Sequence, residues 1–155
     1  DLGYNYRISD IQCALGFSQL KRLTQIVYER RKLAKKYDKA FSKNDNLIIP
    51  KVENYTYHSY HLYPLQINFK NLTKNKLHFY NFCKKNNINL QVHYIPLHFQ
   101  LFFKQGLTKI KNNLINNENY YNNVFSIPLF CGLSAFDQKR IIRIINDYTK
   151  TYSKS

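Results

Sequence analysis

Gly3-Tyr4-Asn5-Tyr6-Arg7-Ile8-Ser9-Asp10-Ile11-Gln12, continuing to Leu20, puts a short polar and aromatic loop directly ahead of a strong helix start. Ser9 is a good N-cap, because its hydroxyl can accept from a first-turn amide that has no partner within the helix. Gln12, three residues on, can reach back and close a capping box. Ile8 and Cys13 stand at the spacing of a hydrophobic staple, and the negative charge of Asp10 suits the helix dipole. From Ile11 to Leu20 most positions are apolar or small, which predicts a helix that is buried rather than surface-lying. Glycine inside a helix costs about 1 kcal/mol relative to alanine, so Gly16 predicts another backbone passing close by. A loop carrying Asn5 and Arg7 would then be held rigidly against a buried helix. That is a scaffold for a site.

Outward from this stretch, Leu23, Ile26, Val27, Leu33, Ala34, Tyr37 and Phe41 continue the helical spacing, with a bend expected between Leu20 and Thr24. Arg30, Arg31, Lys32, Lys35, Lys36 and Lys39 fill the opposite face. Asn44-Asp45-Asn46 ends the helix. Leu47 to Pro50 reads as a short extended piece. Tyr60 to Phe69 has strand composition, with Pro64 implying an edge position or a bulge. Thr73 is placed to cap a helix from Lys74 to Lys85 with Leu77, Tyr80 and Cys83 inward, and Asn86-Asn87 suit a left-handed C-cap. Ile88, Leu90 and Val92 alternate with polar residues as in a half-buried strand. Lys109 to Asn123 is asparagine-rich and suggests no function. Val124 to Ile127 reads as a third strand. Ser134 and Asp137 open a last helix whose stripe is Phe136, Ile141, Ile144, Ile145 and Tyr148, with a tail that should fray after Thr149. The sum is an α+β fold: long leading helices, then a small, mainly antiparallel sheet with helices on one face. Residues 1–43 are expected to be leading interdomain helices with a site loop at 3–8, and residues 44–155 one small α+β domain.

The chain has 155 residues, 24 lysines and arginines against 9 acidic residues, and a net charge of +15. Such a balance suits nucleic acid, an anionic surface or phosphorylated ligands. Lysine is spread through the sequence rather than gathered in patches, which favours compositional drift. Cys13, Cys83 and Cys131 are odd in number and far apart. Cys13 and Cys83 fall on helix faces and read as buried free thiols, which points to a reducing, cytoplasmic setting. No apolar run approaches the ~20 residues of a membrane span. His58, His61, His93 and His98 lack cysteine or carboxylate partners at ligand spacing, so no metal is expected. The absence of methionine, even at position 1, and the start inside a motif predict a fragment.

Gly-Tyr-Asn-Tyr-Arg with Ser-Asp-Ile-Gln-Cys-Ala-Leu-Gly resembles a segment of the DegT/DnrJ/EryC1/StrS family, the pyridoxal-phosphate-dependent sugar-nucleotide aminotransferases. Leu90-Gln91-Val92-His93-Tyr94-Ile95-Pro96-Leu97-His98 and Ser126-Ile127-Pro128-Leu129-Phe130 are similar to two later stretches of the same family. Within it the likeness is greatest to enzymes that aminate a UDP-linked 4-keto-6-deoxy hexosamine in pseudaminic acid biosynthesis. The resemblance implies the C-terminal small domain of a fold-type I aminotransferase, a homodimer with shared sites, glutamate as amino donor and a nucleotide-sugar acceptor. It also implies that the lysine carrying the cofactor lies upstream, so no catalytic residue is assigned in this chain.

By the same resemblance Asn5 would donate to the cofactor phosphate of the neighbouring subunit; from chemistry alone it is a turn residue. Arg7 would contact substrate or cofactor, or form an ion pair at the dimer interface. His93 and Tyr94 would face the sugar, with a satisfied sheet histidine as the alternative for His93. The competing reading is a basic, non-catalytic binding domain for RNA or an acidic surface. If the charge is drift, anisotropy titrations should find nucleic-acid binding that is weak, indifferent to sequence and lost by moderate salt, because it rests on counterion release alone. Submicromolar binding to one particular RNA at physiological salt would favour the competing reading.

Overall fold

The computed structural model describes residues 3–4, 6–106 and 114–154. Two helices lead, α1 (Asp10–Lys21) and α2 (Leu23–Phe41), broken at Arg22 where a bend was expected. Strand β1 (Leu47–Ile48) and strand β2 (Tyr63–Ile67) follow, then α3 (Lys76–Lys85), α4 (Leu101–Gly106) and α5 (Ile115–Asn123). Strand β3 (Val124–Ile127) and the long helix α6 (Ala135–Thr151) close the chain. The sheet is antiparallel throughout, in the order β1-β2-β3.

Alternate residues of a strand share a face. Tyr63, Leu65 and Ile67 of β2, with Phe125 and Ile127 of β3, therefore turn one sheet face toward Tyr37 and Phe41 of α2, Phe79 and Cys83 of α3, and Ile141, Ile145 and Tyr148 of α6. The core is largely aromatic. Phe79 meets Tyr148 edge-on at 4.8 Å and tilts against Phe125 at 5.5 Å, and Tyr37 lies 5.0 Å from Tyr63. Such pairs add to the free energy of burial because ring edges and faces carry opposite partial charge.

Several elements depart from their sequence-based expectation. Helix α1 has no buried residue, Ile11 is 83% exposed, and a methyl added at Gly16 would meet nothing within 4 Å. Its apolar circumference finds no partner among the described residues, and Cys13 is exposed with it, while Cys83 is buried. Helix α3 starts at Lys76, capped by Asn75 rather than Thr73. Thr73 is engaged elsewhere, its amide donating to the Tyr152 carbonyl at 2.8 Å. Cys83 is buried as expected, but its buried neighbour is Phe79, and Leu77 is exposed. Asn87 takes the expected positive φ of 54°. The Ile88–Val92 alternation holds in burial, but pairing is confined to one bridge, Gln91 to Ser126. Phe136 lies outside the α6 stripe and is exposed. The tail does not end at Thr149: the Lys154 amide donates to the Asn71 carbonyl at 2.8 Å and pins it beside α3.

Pro64 sits in the central strand, where an edge was expected. Ser126 exchanges both of its backbone hydrogen bonds with Gln91, at 2.8 and 3.1 Å. Its amide and carbonyl thus point away from β2, which makes Pro64 and Ser126 a non-hydrogen-bonded pair. The Pro64 nitrogen then faces the β1 side, and β1 pairs only with Gln66 and Ile67. The strand is central, but the donor that proline lacks has no partner to satisfy.

Asp38 of α2 accepts from the Tyr63 hydroxyl at 2.6 Å on the rim of the core. Burial raises the Asp38 pKa, and the Tyr63 hydrogen bond opposes the rise without cancelling it. A carboxyl with a raised folded-state pKa stabilises the fold below its unfolded pKa, and that contribution is lost as pH climbs through the folded value. Asp38→Asn keeps an acceptor for Tyr63 without the charge. It should raise the melting temperature at about pH 7 and change it little at about pH 3. A lower melting temperature at the higher pH would show that the ionised hydrogen bond outweighs desolvation.

Candidate functional site

The loop ahead of α1 is held by a complete capping box: the Ser9 amide donates to Gln12 Oε1 at 2.9 Å and the Gln12 amide to Ser9 Oγ at 3.4 Å. Tyr4 and Tyr6 stack obliquely at 5.5 Å, and both are exposed. Tyr6, Arg7, Ile8 and Gln12 border an open hollow of about 640 Å³. Arg7 thus presents a guanidinium beside a surface cavity, the group best shaped to hold a phosphate or carboxylate through two hydrogen bonds. Asn5 lies outside the described residues.

His93 and Tyr94 lie elsewhere, on the segment that leaves the Gln91–Ser126 bridge. His93 Nδ1 shares a 2.9 Å hydrogen bond with Ser126 Oγ, so one ring nitrogen is occupied by the sheet. Tyr94 crosses the His93 ring edge-on at 4.9 Å and is itself 78% exposed. Both line a cavity of about 620 Å³ whose other wall is α5, through Asn117, Tyr120 and Tyr121. Three contacts lock that wall. His98 Nε2 pairs with Glu118 Oε1 at 3.0 Å, and Phe99 meets the Tyr121 ring edge-on at 6.1 Å. Lys76 Nζ donates to the Tyr121 carbonyl and lies 4.2 Å from the centre of the Tyr121 ring and 5.0 Å from that of Phe125. Burial lowers the Lys76 pKa, and the two ring faces compensate part of its lost hydration.

Helix α5 belongs to the asparagine-rich run in which the sequence suggested no function. A usable signal was present: Glu118 is the only acidic residue between Glu53 and Asp137. The basic face of α2 has an internal use that its sequence pattern did not reveal. Arg30 Nη1 reaches the carbonyls of Tyr60, His61 and Leu129 at 3.0, 2.8 and 3.3 Å, and Arg31 holds the His58 carbonyl at 2.9 Å. A third hollow, of about 440 Å³, lies between the exit of β3 and the start of α6. Its one arginine, Arg140, is committed to the carbonyls of Asn86 and Asn87 beyond the end of α3. Cys83 is no nucleophile, since burial pushes its thiol up to about 12. Two further histidines are engaged within the fold: His58 accepts from the Tyr60 amide, and His78 bonds the Tyr148 hydroxyl.

The model of the DegT/DnrJ/EryC1/StrS aminotransferase family matches residues 1–146, and the chain belongs to that family. UDP-4-amino-4,6-dideoxy-N-acetyl-beta-L-altrosamine transaminase of Campylobacter jejuni is 38% identical over 139 residues, covering 90% of this chain and 36% of that protein. Spore coat polysaccharide biosynthesis protein SpsC of Bacillus subtilis is 32% identical over 149 residues, 96% of this chain and 38% of that one. Among solved structures, Helicobacter pylori PseC, an aminotransferase involved in the biosynthesis of pseudoaminic acid, superposes with a TM-score of 0.84 at 28% identity. That superposition covers 98% of this chain and 40% of PseC. The chain spans about two fifths of the length of the relatives it matches.

Proposed function

We propose that this chain is the C-terminal part of a pyridoxal-phosphate-dependent aminotransferase. It would act with glutamate as amino donor on a UDP-linked 4-keto-6-deoxy hexosamine. The observation that carries this reading is the family match over residues 1–146 in a chain whose leading loop sets Arg7 on a rigid cap beside an open cavity. The donor set on that loop suits the phosphate end of the cofactor: a guanidinium from Arg7 and, by its place in the motif, an amide from Asn5. Bound pyridoxal phosphate supplies the electron sink through which an amino group passes from one carbon skeleton to another. This chain's part is to anchor and orient. Arg7 holds an anionic group, Asn5 donates to the cofactor phosphate of a partner subunit in a homodimer, and His93 and Tyr94 border the place of the sugar. The Ser126 hydrogen bond fixes the His93 ring and leaves its other nitrogen to meet a sugar oxygen. Such an enzyme would work in the cytoplasm. No helix among the described residues is long and apolar enough to cross a membrane.

Asn5 provides the test, made in the complete enzyme. Asn5→Ala removes one hydrogen bond to a charged phosphate, which contributes about 1.5–3 kcal/mol, so cofactor affinity should fall roughly tenfold to a hundredfold. Folding should survive, because the capping box of Ser9 and Gln12 is untouched. Asn5→Asp should be worse, since it sets a carboxylate beside the phosphate dianion. A plain turn residue would behave differently, with lower melting temperature, aspartate tolerated and cofactor affinity unchanged. Cofactor dissociation constants and melting curves on both variants separate the two readings.

A further inference from the structure

Lysine is spread along the sequence, but the fold gathers it. Helices α2, α3 and α6 turn their buried residues toward the same face of the sheet, so their opposite sides share one outer surface. On α6, Lys139, Arg143 and Lys150 recur at helical spacing along that side, and all three are exposed. Lys84 and Lys85 of α3 and Lys39 of α2 stand on the matching sides of their helices, exposed as well. Among the described residues none of these cations is paired with a carboxylate. Two apolar side chains stand in the same surface. Phe136 is 77% exposed one turn ahead of Lys139 and Arg143, and Leu77 is 65% exposed two turns ahead of Lys84.

We infer that the outer surface of this helix layer docks the protein on an anionic lipid membrane, its cations set against lipid phosphates and Phe136 and Leu77 entering the headgroup layer. The inference concerns where the protein works and does not depend on the reaction proposed above. Clusters of about four to eight cations on an amphipathic helix suit anionic lipid, and here three neighbouring helices contribute to one surface. The cations are mostly lysine. Its ammonium acts on phosphate as a compact point charge and needs no fixed partner geometry, which matches a fluid array of headgroups. Charge alone would serve a nucleic acid equally well, but the aliphatic Leu77 has no ring face to stack on a base and would stay in water. A headgroup layer takes up both kinds of side chain.

The test is made on the complete enzyme, since the exposed apolar face of α1 in the isolated chain would itself adhere to lipid. In co-sedimentation at physiological salt the enzyme should bind phosphatidylcholine vesicles that contain phosphatidylglycerol, ignore vesicles of phosphatidylcholine alone, and come off as salt is raised. Each cation removed from such a surface weakens attachment roughly fivefold, so Lys139→Gln, Arg143→Gln and Lys150→Gln together should lower affinity about a hundredfold. Phe136→Ser should lower it several-fold and leave its salt dependence unchanged. All four positions are exposed, so the melting temperature and turnover of soluble substrate should stay at wild-type values. No binding to either vesicle, equal binding to both, or equal binding by wild type and the triple variant would overturn the docking surface. Single-stranded RNA that is bound more tightly than the anionic vesicles, and strips the enzyme from them, would overturn lipid as the partner. Unchanged binding on Phe136→Ser would overturn the apolar part of the contact.

Discussion

Ser126 is the point where the sheet is tied to the His93 segment. Its backbone spends both hydrogen bonds on Gln91, and its side chain shares one with His93. The first commitment permits a proline opposite it in the central strand. The second sets the direction in which the chain leaves the sheet toward Tyr94. Phe125 and Ile127, on the other face of the same strand, are packed into the aromatic core. A serine between two core residues therefore carries core rigidity to the histidine through one side-chain contact. Rigid elements position functional groups better than loops do, and the His93 segment borrows that rigidity.

The positive charge has a partly internal use. Arg30, Arg31, Arg140 and Lys76 each donate to backbone carbonyls, and they tie loops and helix ends that lack regular pairing. With a three-stranded sheet, two of whose strands are short, these cationic clamps do work that a longer ladder would otherwise perform. Lys51 forms an ion pair with Glu53, and His98 shares a hydrogen bond with Glu118. The first is exposed and weak; the second joins the two walls of the cavity beside Tyr94.

What was legible in the sequence followed from local rules. The capping box at Ser9, the side-chain cap at Ser134, the break near Arg22, the positive φ at Asn87 and the α6 stripe from Ile141 to Tyr148 are each decided within one or two turns of chain. What escaped was decided by distant partners. Thr73 lost its cap role to Tyr152, nearly eighty residues away, and the start of α3 moved with it. Pro64 was misjudged because the reach of β1 and the turn of Ser126 toward Gln91 cannot be read locally. Helix α1 was read as buried from its own composition, yet burial needs a second surface, and none meets it among the described residues. Arg7, His93 and Tyr94 stood out through resemblance. Asn117 and Tyr120 did not, because an asparagine-rich helix acquires meaning only when a loop folds against it.

The central claim is that this chain anchors and orients, while the lysine that carries the cofactor belongs to another part of the enzyme. Incubation of the 155-residue chain with pyridoxal phosphate, borohydride reduction and peptide mapping tests it most directly. The account predicts label scattered at low occupancy over surface lysines and no amino transfer. Stoichiometric label on one lysine, together with turnover of glutamate and a keto sugar nucleotide, would contradict it.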